Sequence, residues 1–453
     1  MDWNADPFVS SAFDDDTGGD HSGDYGSRSV GIIASTHDDF YFGTYDDAGN
    51  MLTNPAAFME TDGAKKFLNF NEDGFAGIAE GGKYYTRDFD GKTAYRVIYR
   101  PNMIHPLVAF STTCVGYAVD FFDTTLGAPK PLPASDQIWP IKAVFNSLGV
   151  IGLLIFMVSF TLVLLDTPVF SALRSGEIVQ PAPVQDSGAK AWYWVLLIIG
   201  AVFSGASFLF CMNTVYSKTT NFFVQTGPLT IGTWAALCGV FAIFCSAVFY
   251  GAYGKKHGWS ARRAGLYLNL EQLWKTIALA VIVIVVSFGL VFAAHYFFQV
   301  DYRMYVVAFK TFGADKVLIA LRYLPFFLLF YVMNSISANC FNYNTIGGKN
   351  GNILIYAFFN TLGAIFVVAS QYIYFYATGY QLYGLTEGQR IGPIWLFPCM
   401  VLLFVTPIMS RIIYKRTRNP YIAGLINAMF IVMISCSNTT TILGGGELIA
   451  TTF

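Results

Sequence analysis

Charge is scarce in this chain: Asp, Glu, Lys and Arg make up 13% of its 453 residues, roughly half the 25% usual in globular domains. Several chemical signatures are missing too. There is no Walker loop and no HExxH, which removes the usual marks of a phosphate cradle and of a zinc protease. The seven cysteines form no CxxC pair and no His/Cys cluster at metal spacing, so neither a metal nor a cofactor is expected. Six of them (Cys211, Cys238, Cys245, Cys340, Cys399, Cys436) fall in or beside apolar runs, where a thiol packs as a small hydrophobe; Cys114 is the exception. The opening MDWNADPFVSSAFDDDTGGDHSGDYG has no basic n-region and no apolar h-region; residues 1–27 read as a disordered or loop segment.

The remaining charge is divided unevenly. Through Pro140 there are 21 acids and 9 bases, a net of −12; from Ile141 onward there are 8 acids and 19 bases, a net of +11. An acidic soluble part repels a phosphate backbone, so nucleic acid is not an expected partner. Eight runs in the basic part are apolar over about 20 residues, the length that crosses a bilayer core as helix: 143–165, 192–212, 231–253, 275–298, 317–340, 353–376, 393–413 and 421–443. Trp and Tyr gather at many of their ends (Trp139, Trp192, Trp194, Tyr250, Trp274, Tyr296, Tyr372, Tyr374, Trp395), as in an interfacial belt. The connections 166–191, 254–275, 341–352 and 411–420 carry twelve Lys+Arg, Arg411 among them, and the alternate ones, 213–230, 299–316 and 377–392, carry five. The positive-inside rule makes the first set cytoplasmic and puts the N-terminal segment and the C-terminus outside the cytoplasm. The expected location is therefore a cell membrane, crossed several times, with the lipid bilayer as partner. Arg322, Asn334, Asn339, Asn360 and Gln371 are the polar candidates for a pathway through the bundle, with snorkelling and interhelical hydrogen bonding as the plainer readings. The stretch SCSNTTTILGGGEL (435–448) is polar and Gly-rich and is expected to break the last helix.

Residues 28–127 change character from loop to structure. Val30–Ala34 is a short apolar run of the kind found in buried parallel strands, ending in a polar turn with His37, Asp38 and Asp39. Residues 46–93 are Gly- and Asp-rich, with a helical piece near AKKFLNF; TAYRVIYR (93–100) reads as a second strand. His105 comes after it and precedes Pro106, a residue favoured in a helix's first turn, and Leu107, Phe110, Cys114, Ala118 and Phe121 then recur at helical spacing. Residues 128–142 form a Pro-rich linker into the transmembrane helical domain, 143–453.

VGIIASTHDDFYF with RVIYRPNMIHP after it resembles the last third of an α/β-hydrolase, in which an acid follows one late strand and the catalytic histidine follows the final one. More narrowly, the chain resembles the C-terminal part of membrane-bound bacterial α/β-hydrolases of the S33-peptidase-like kind, with a multi-helix membrane region behind an exported catalytic domain. The resemblance covers about residues 28–127. It implies a partial α/β fold ahead of an all-α polytopic region of about eight helices. It also implies a catalytic pair of His105 with Asp38, Asp39 being the second candidate for the acid. The substrate would be a small molecule, lipid or peptide. The chain has no GxSxG; GGDHSGDYG (18–26) and FSGASF (203–208) have the wrong spacing or place. The expectation is thus a fragment of a serine hydrolase whose nucleophile lies upstream. The alternative is a polytopic transporter or sensor with a non-catalytic extracytoplasmic domain. A topology reporter fused beside His105 is expected to read the extracytoplasmic side; a cytosolic signal overturns the orientation and the exported-hydrolase reading together.

Overall fold

A computed structural model describes residues 25–39, 41–45, 51–130, 132–184, 186–384, 386–442 and 448–449. Most of residues 1–27 and of the Gly-rich stretch at 443–447 lie outside the described residues. The chain divides into two units: the described part of Met1–Lys142 with Val368–Ile394, and Ala143–Val367 with the described part of Trp395–Phe453.

The first unit is built on a three-stranded sheet ordered β1 (Val30–Ile33), β5 (Lys92–Tyr99), β4 (Tyr85–Phe89), with β2 (Thr44–Tyr45) and β3 (Met51–Thr53) as a separate antiparallel pair. β1 and β5 are parallel, with Val30 opposite Arg96 and Ile33 opposite Tyr99. β4 and β5 form an antiparallel hairpin, in a stretch whose Gly and Asp content reads as loop. Its turn is Asp90-Gly91, both at positive φ, the pair that a two-residue type I′ turn requires. That dipeptide, between YTRDF and KTAYRVIY, is the local signal for it. The core holds Ala34, Phe58, Phe67, Leu68 and Ile98, with α1 (Asp62–Leu68) capped by the Thr61 hydroxyl. After β5 come a four-residue helix α2 (His105–Val108) and α3 (Thr112–Leu126). The single helix expected after His105 is broken because the Ser111 side chain accepts the Cys114 N–H at 3.3 Å and starts a new one.

The second unit is helical, and the described residues as a whole are mostly helix with only small sheets. In chain order the long helices are α4 (Trp139–Leu165), α5 (Ser187–Thr214), α6 (Thr226–Phe249), α7 (Leu270–Phe298), α8 (Ala314–Ile336), α9 (Gly348–Thr378), α10 (Glu387–Thr417) and α11 (Pro420–Ser437). A hairpin of β6 (Tyr302–Met304) and β7 (Val307–Phe309) lies between α7 and α8, and π-helical turns extend α6 and α8 to Gly254 and Phe341. With those extensions, eight helices among the described residues are long and apolar enough to cross a membrane; the protein is a multi-pass membrane protein.

α11 stops at Ser437, six residues short of the expected span. Its carbonyl end is satisfied from the side: Gln225 Nε2 donates to Cys436 O at 3.1 Å and Thr439 O at 2.9 Å, and Lys316 Nζ donates to Thr439 O at 2.8 Å. Helices close on one another where side chains are absent. A Cβ added at Gly363 of α9 would lie 2.5 Å from Ala201 O and 2.8 Å from Gly205 N of α5; one at Gly239 of α6 would lie 2.7 Å from Leu329 O of α8. Backbone approach of this kind substitutes for the missing hydrophobic force between helices in lipid. Gly363→Leu is expected to cost about 1–3 kcal/mol by overpacking and to lower the midpoint of thermal unfolding in detergent. Gly200→Ala, where a Cβ meets nothing within 4 Å, should not lower the midpoint, since Ala is the better helix former.

Candidate functional site

The parallel pairing of β1 with β5 does not stop at the strand ends. Ala34 N–H donates to Tyr99 O and Thr36 N–H to Pro101 O, both at 2.9 Å. The Ser35 hydroxyl donates to Met103 O at 2.7 Å, and His37 bridges in parallel with Ile104. The two loops are thereby laced together residue by residue, and the next pair along is Asp38 with His105, 67 positions apart in sequence. His105 Nδ1 lies 3.0 Å from Asp38 Oδ2. A carboxylate can only accept, so Nδ1 carries the proton and the basic lone pair falls on Nε2. The His105 side chain is 34% exposed and that of Asp38 is 2% exposed, so the histidine is reachable while its acid is not. Asp38 Oδ1 also accepts the Tyr41 N–H at 2.7 Å, and the Tyr41 ring lies 4.9 Å from the imidazole.

Of the two acids left open by sequence, Asp38 is the one on the imidazole. Asp39 does something different. It is fully buried; its Oδ1 accepts the His105 backbone N–H at 3.0 Å and its Oδ2 accepts the Tyr372 hydroxyl at 2.7 Å. The first bond satisfies a donor at the start of α2 that has no side-chain cap from its own chain neighbour Ile104. Gln381 Nε2 donates to the Asp39 carbonyl. Tyr372 and the neighbouring Phe375 and Tyr376 belong to the C-terminal end of α9; His37 stacks on Tyr376 at 4.4 Å and meets Phe375 edge-on at 5.6 Å. By sequence Tyr372 is one more residue of the aromatic belt, and Gln381 has no part at all. Nothing in a linear sequence links residue 39 to residues some 330 positions on.

Protonation in this cluster is coupled. Burial, and then the charge of Asp38, push the Asp39 carboxyl up to about 6, although the Tyr372 hydroxyl, its own backbone and His105 pull the other way. Burial works against a charged His105, but the hydrogen bond and charge of Asp38, together with the charge of Asp39, outweigh it and raise the imidazole above its ordinary value. Burial and the charge of Asp38 also push the Tyr41 hydroxyl up, so it stays protonated. Among the described residues no group of three or more His, Cys, Asp and Glu is arranged to hold a metal ion.

In the second unit, the polar candidates bond within the bundle. Asn334 Nδ2 donates to Asn360 Oδ1 at 2.6 Å and Asn360 Nδ2 to Leu403 O at 2.7 Å. Arg322 reaches Phe222 O at 3.0 Å. Gln371, which belongs to the first unit, accepts the Tyr383 N–H at 2.8 Å. The residue that sequence reasoning misses is Arg411, expected in a cytoplasmic connection but buried in α10. Its Nε donates to Asn339 Oδ1 at 2.8 Å, Nη1 to Asn352 Oδ1 at 3.0 Å and Nη2 to Ala338 O at 2.5 Å, and its guanidinium lies 3.9 Å from the Tyr343 ring centre. Every one of these partners is neutral.

Compared with protein-family models, curated proteins and solved structures, the chain matches none.

The pH dependence comes from the two raised groups. A folded-state carboxyl at about 6 against an unfolded 3.8 contributes most below the unfolded value and loses up to about 3 kcal/mol as pH rises through 6. A raised histidine likewise contributes below its unfolded value and loses that contribution as pH rises through the folded one. Both act in one direction. The first unit is expected to be more stable at pH 5 than at pH 8 by thermal unfolding. Asp39→Asn should flatten the slope between about pH 4 and 6, which His105→Gln should retain.

Proposed function

We propose that His105 and Asp38 are the base and the orienting acid of a hydrolase of the α/β-hydrolase kind, carried outside the cytoplasm on a polytopic membrane protein. The supporting observation is the 3.0 Å bond from Nδ1 to a buried carboxylate, placed where two adjacent parallel strands end and a helix begins. That is the position and chain order in which the acid and the histidine of a serine triad stand. In this role Nε2 of His105 takes the proton of an attacking hydroxyl and later delivers it to the leaving group. Asp38 holds the tautomer and stabilises the imidazolium that forms between the two steps. The attacking serine, on this reading, comes from a segment other than the described residues, as do the backbone N–H groups that would hold the oxyanion. The extracytoplasmic placement rests on the bias of Lys and Arg among the connections. The substrate class at this level is an ester or amide of a small molecule, lipid or peptide.

A second reading, a transporter with a non-catalytic accessory unit, is favoured by Arg411. A buried guanidinium with neutral partners in a membrane bundle is costly to keep and is by default a functional candidate.

A fluorophosphonate probe applied to native membranes, with subsequent recovery of this chain and whatever remains bound to it, separates the two. Labelling of a serine is expected, with loss in His105→Ala and a fall of about 10⁴-fold in rate in Asp38→Asn. Absence of labelling, or wild-type labelling in His105→Ala, overturns the triad reading.

A further inference from the structure

The bond between Tyr372 and Asp39 fixes the depth of the dyad. α9 crosses as Asn350–Thr378, 29 residues, or about 43 Å of helix at 1.5 Å per residue. A hydrocarbon core of about 30 Å centred on it leaves about 7 Å of helix at each end. Tyr372 lies six residues before that end, about 9 Å back along the axis. It therefore sits at the boundary between acyl chains and headgroups, and Tyr374, Tyr376 and Tyr380 continue from it through the headgroup layer as interfacial aromatics do. Asp39 is one hydrogen bond from Tyr372, and His105 is one further bond away. The catalytic pair thus does not stand off in water at the end of a tether.

The stretch of chain that follows the histidine agrees with that depth. Leu107 and Phe110 come directly after His105 and are both exposed. On α3, Val119, Phe122 and Leu126 recur at three- and four-residue spacing and are 40%, 58% and 79% exposed, with Asp123 at the stripe's border. Leu132 and Ile138 continue the exposed apolar series up to Trp139, where the first span begins. An open series of large apolar side chains running into a membrane span has the bilayer as its natural cover.

We infer that the His105–Asp38 dyad lies at the lipid headgroup level, and that the molecule it acts on is a membrane-borne amphiphile whose scissile ester or amide sits at that level. The inference rests on the dyad reading and deepens it. A substrate held in the bilayer reaches His105 by lateral diffusion with its tail still in lipid, so the site needs no deep acyl pocket of its own.

The test uses the full chain in lipid nanodiscs. Leu107→Cys and Phe122→Cys, each carrying a nitroxide, are compared with Ile78→Cys, a position 86% exposed, with the unsubstituted protein treated alike as the blank. The ratio of collision with oxygen to collision with a water-soluble nickel chelate is expected to be severalfold higher at 107 and 122 than at 78. Val119→Cys replaces either variant that does not fold. Water-like ratios at these positions overturn the depth. In native membranes, a fluorophosphonate with a long acyl tail is expected to label the associated serine severalfold faster than a short soluble one. Equal rates overturn the substrate class while leaving the dyad reading intact, whereas labelling by neither probe removes the dyad reading and this inference with it.

Discussion

Two carboxylates, Asp38 and Asp39, are buried side by side in one turn, and the rest of the site is arranged to make that tolerable. Adjacent buried charges of one sign repel and lose hydration, so each oxygen has to find a donor. Asp38 finds the Tyr41 amide and the His105 ring; Asp39 finds the His105 amide and the Tyr372 hydroxyl. His105 serves both acids, with its ring on one and its backbone on the other. That double attachment fixes both where the residue starts its helix and which way the imidazole faces.

The donors come from three separate stretches of chain, and the cluster therefore ties them together. The turn after β1 supplies the acids, the turn after β5 supplies the histidine, and the C-terminal end of α9 supplies Tyr372, with Gln381 just beyond it. A charge-assisted hydrogen bond contributes about 1.5–3 kcal/mol, so the loss of any one donor leaves a buried carboxylate under-satisfied and weakens the hold on the others. A membrane helix whose end is part of the same unit as the sheet is more than an anchor. It contributes a hydrogen-bond donor to the acid next to the candidate catalytic one.

Arg411 presents the opposite situation in the helical unit. Its charge is dispersed over an amide oxygen on each of two helices, a backbone carbonyl freed near the π-helical turn of α8, and the face of Tyr343. Three neutral acceptors and a ring can stabilise a guanidinium because its hydration is weak and its five N–H groups spread the charge. The same neighbours join α8, α9 and α10 at one point.

Local pattern and the membrane as solvent set the limit of what the sequence determined by itself. Eight apolar stretches of spanning length, the cationic bias of alternate connections and two strand-like runs each ending in a polar turn are all readable, because hydropathy and period depend on near neighbours. The places of His105 and Asp38 after those runs are readable in the same way, and the resemblance carried by those places names them as a pair. The tertiary structure alone decided which acid meets the imidazole. Asp38 and Asp39 are one residue apart and chemically identical, and only the parallel register of β1 on β5, carried through Ser35 and His37, presents one to the ring and the other to the backbone. It alone decided that Tyr372 belongs to the site and that Arg411 belongs to the interior of the bundle, since each depends on contacts between helices or strands far apart in the chain, which no local pattern encodes.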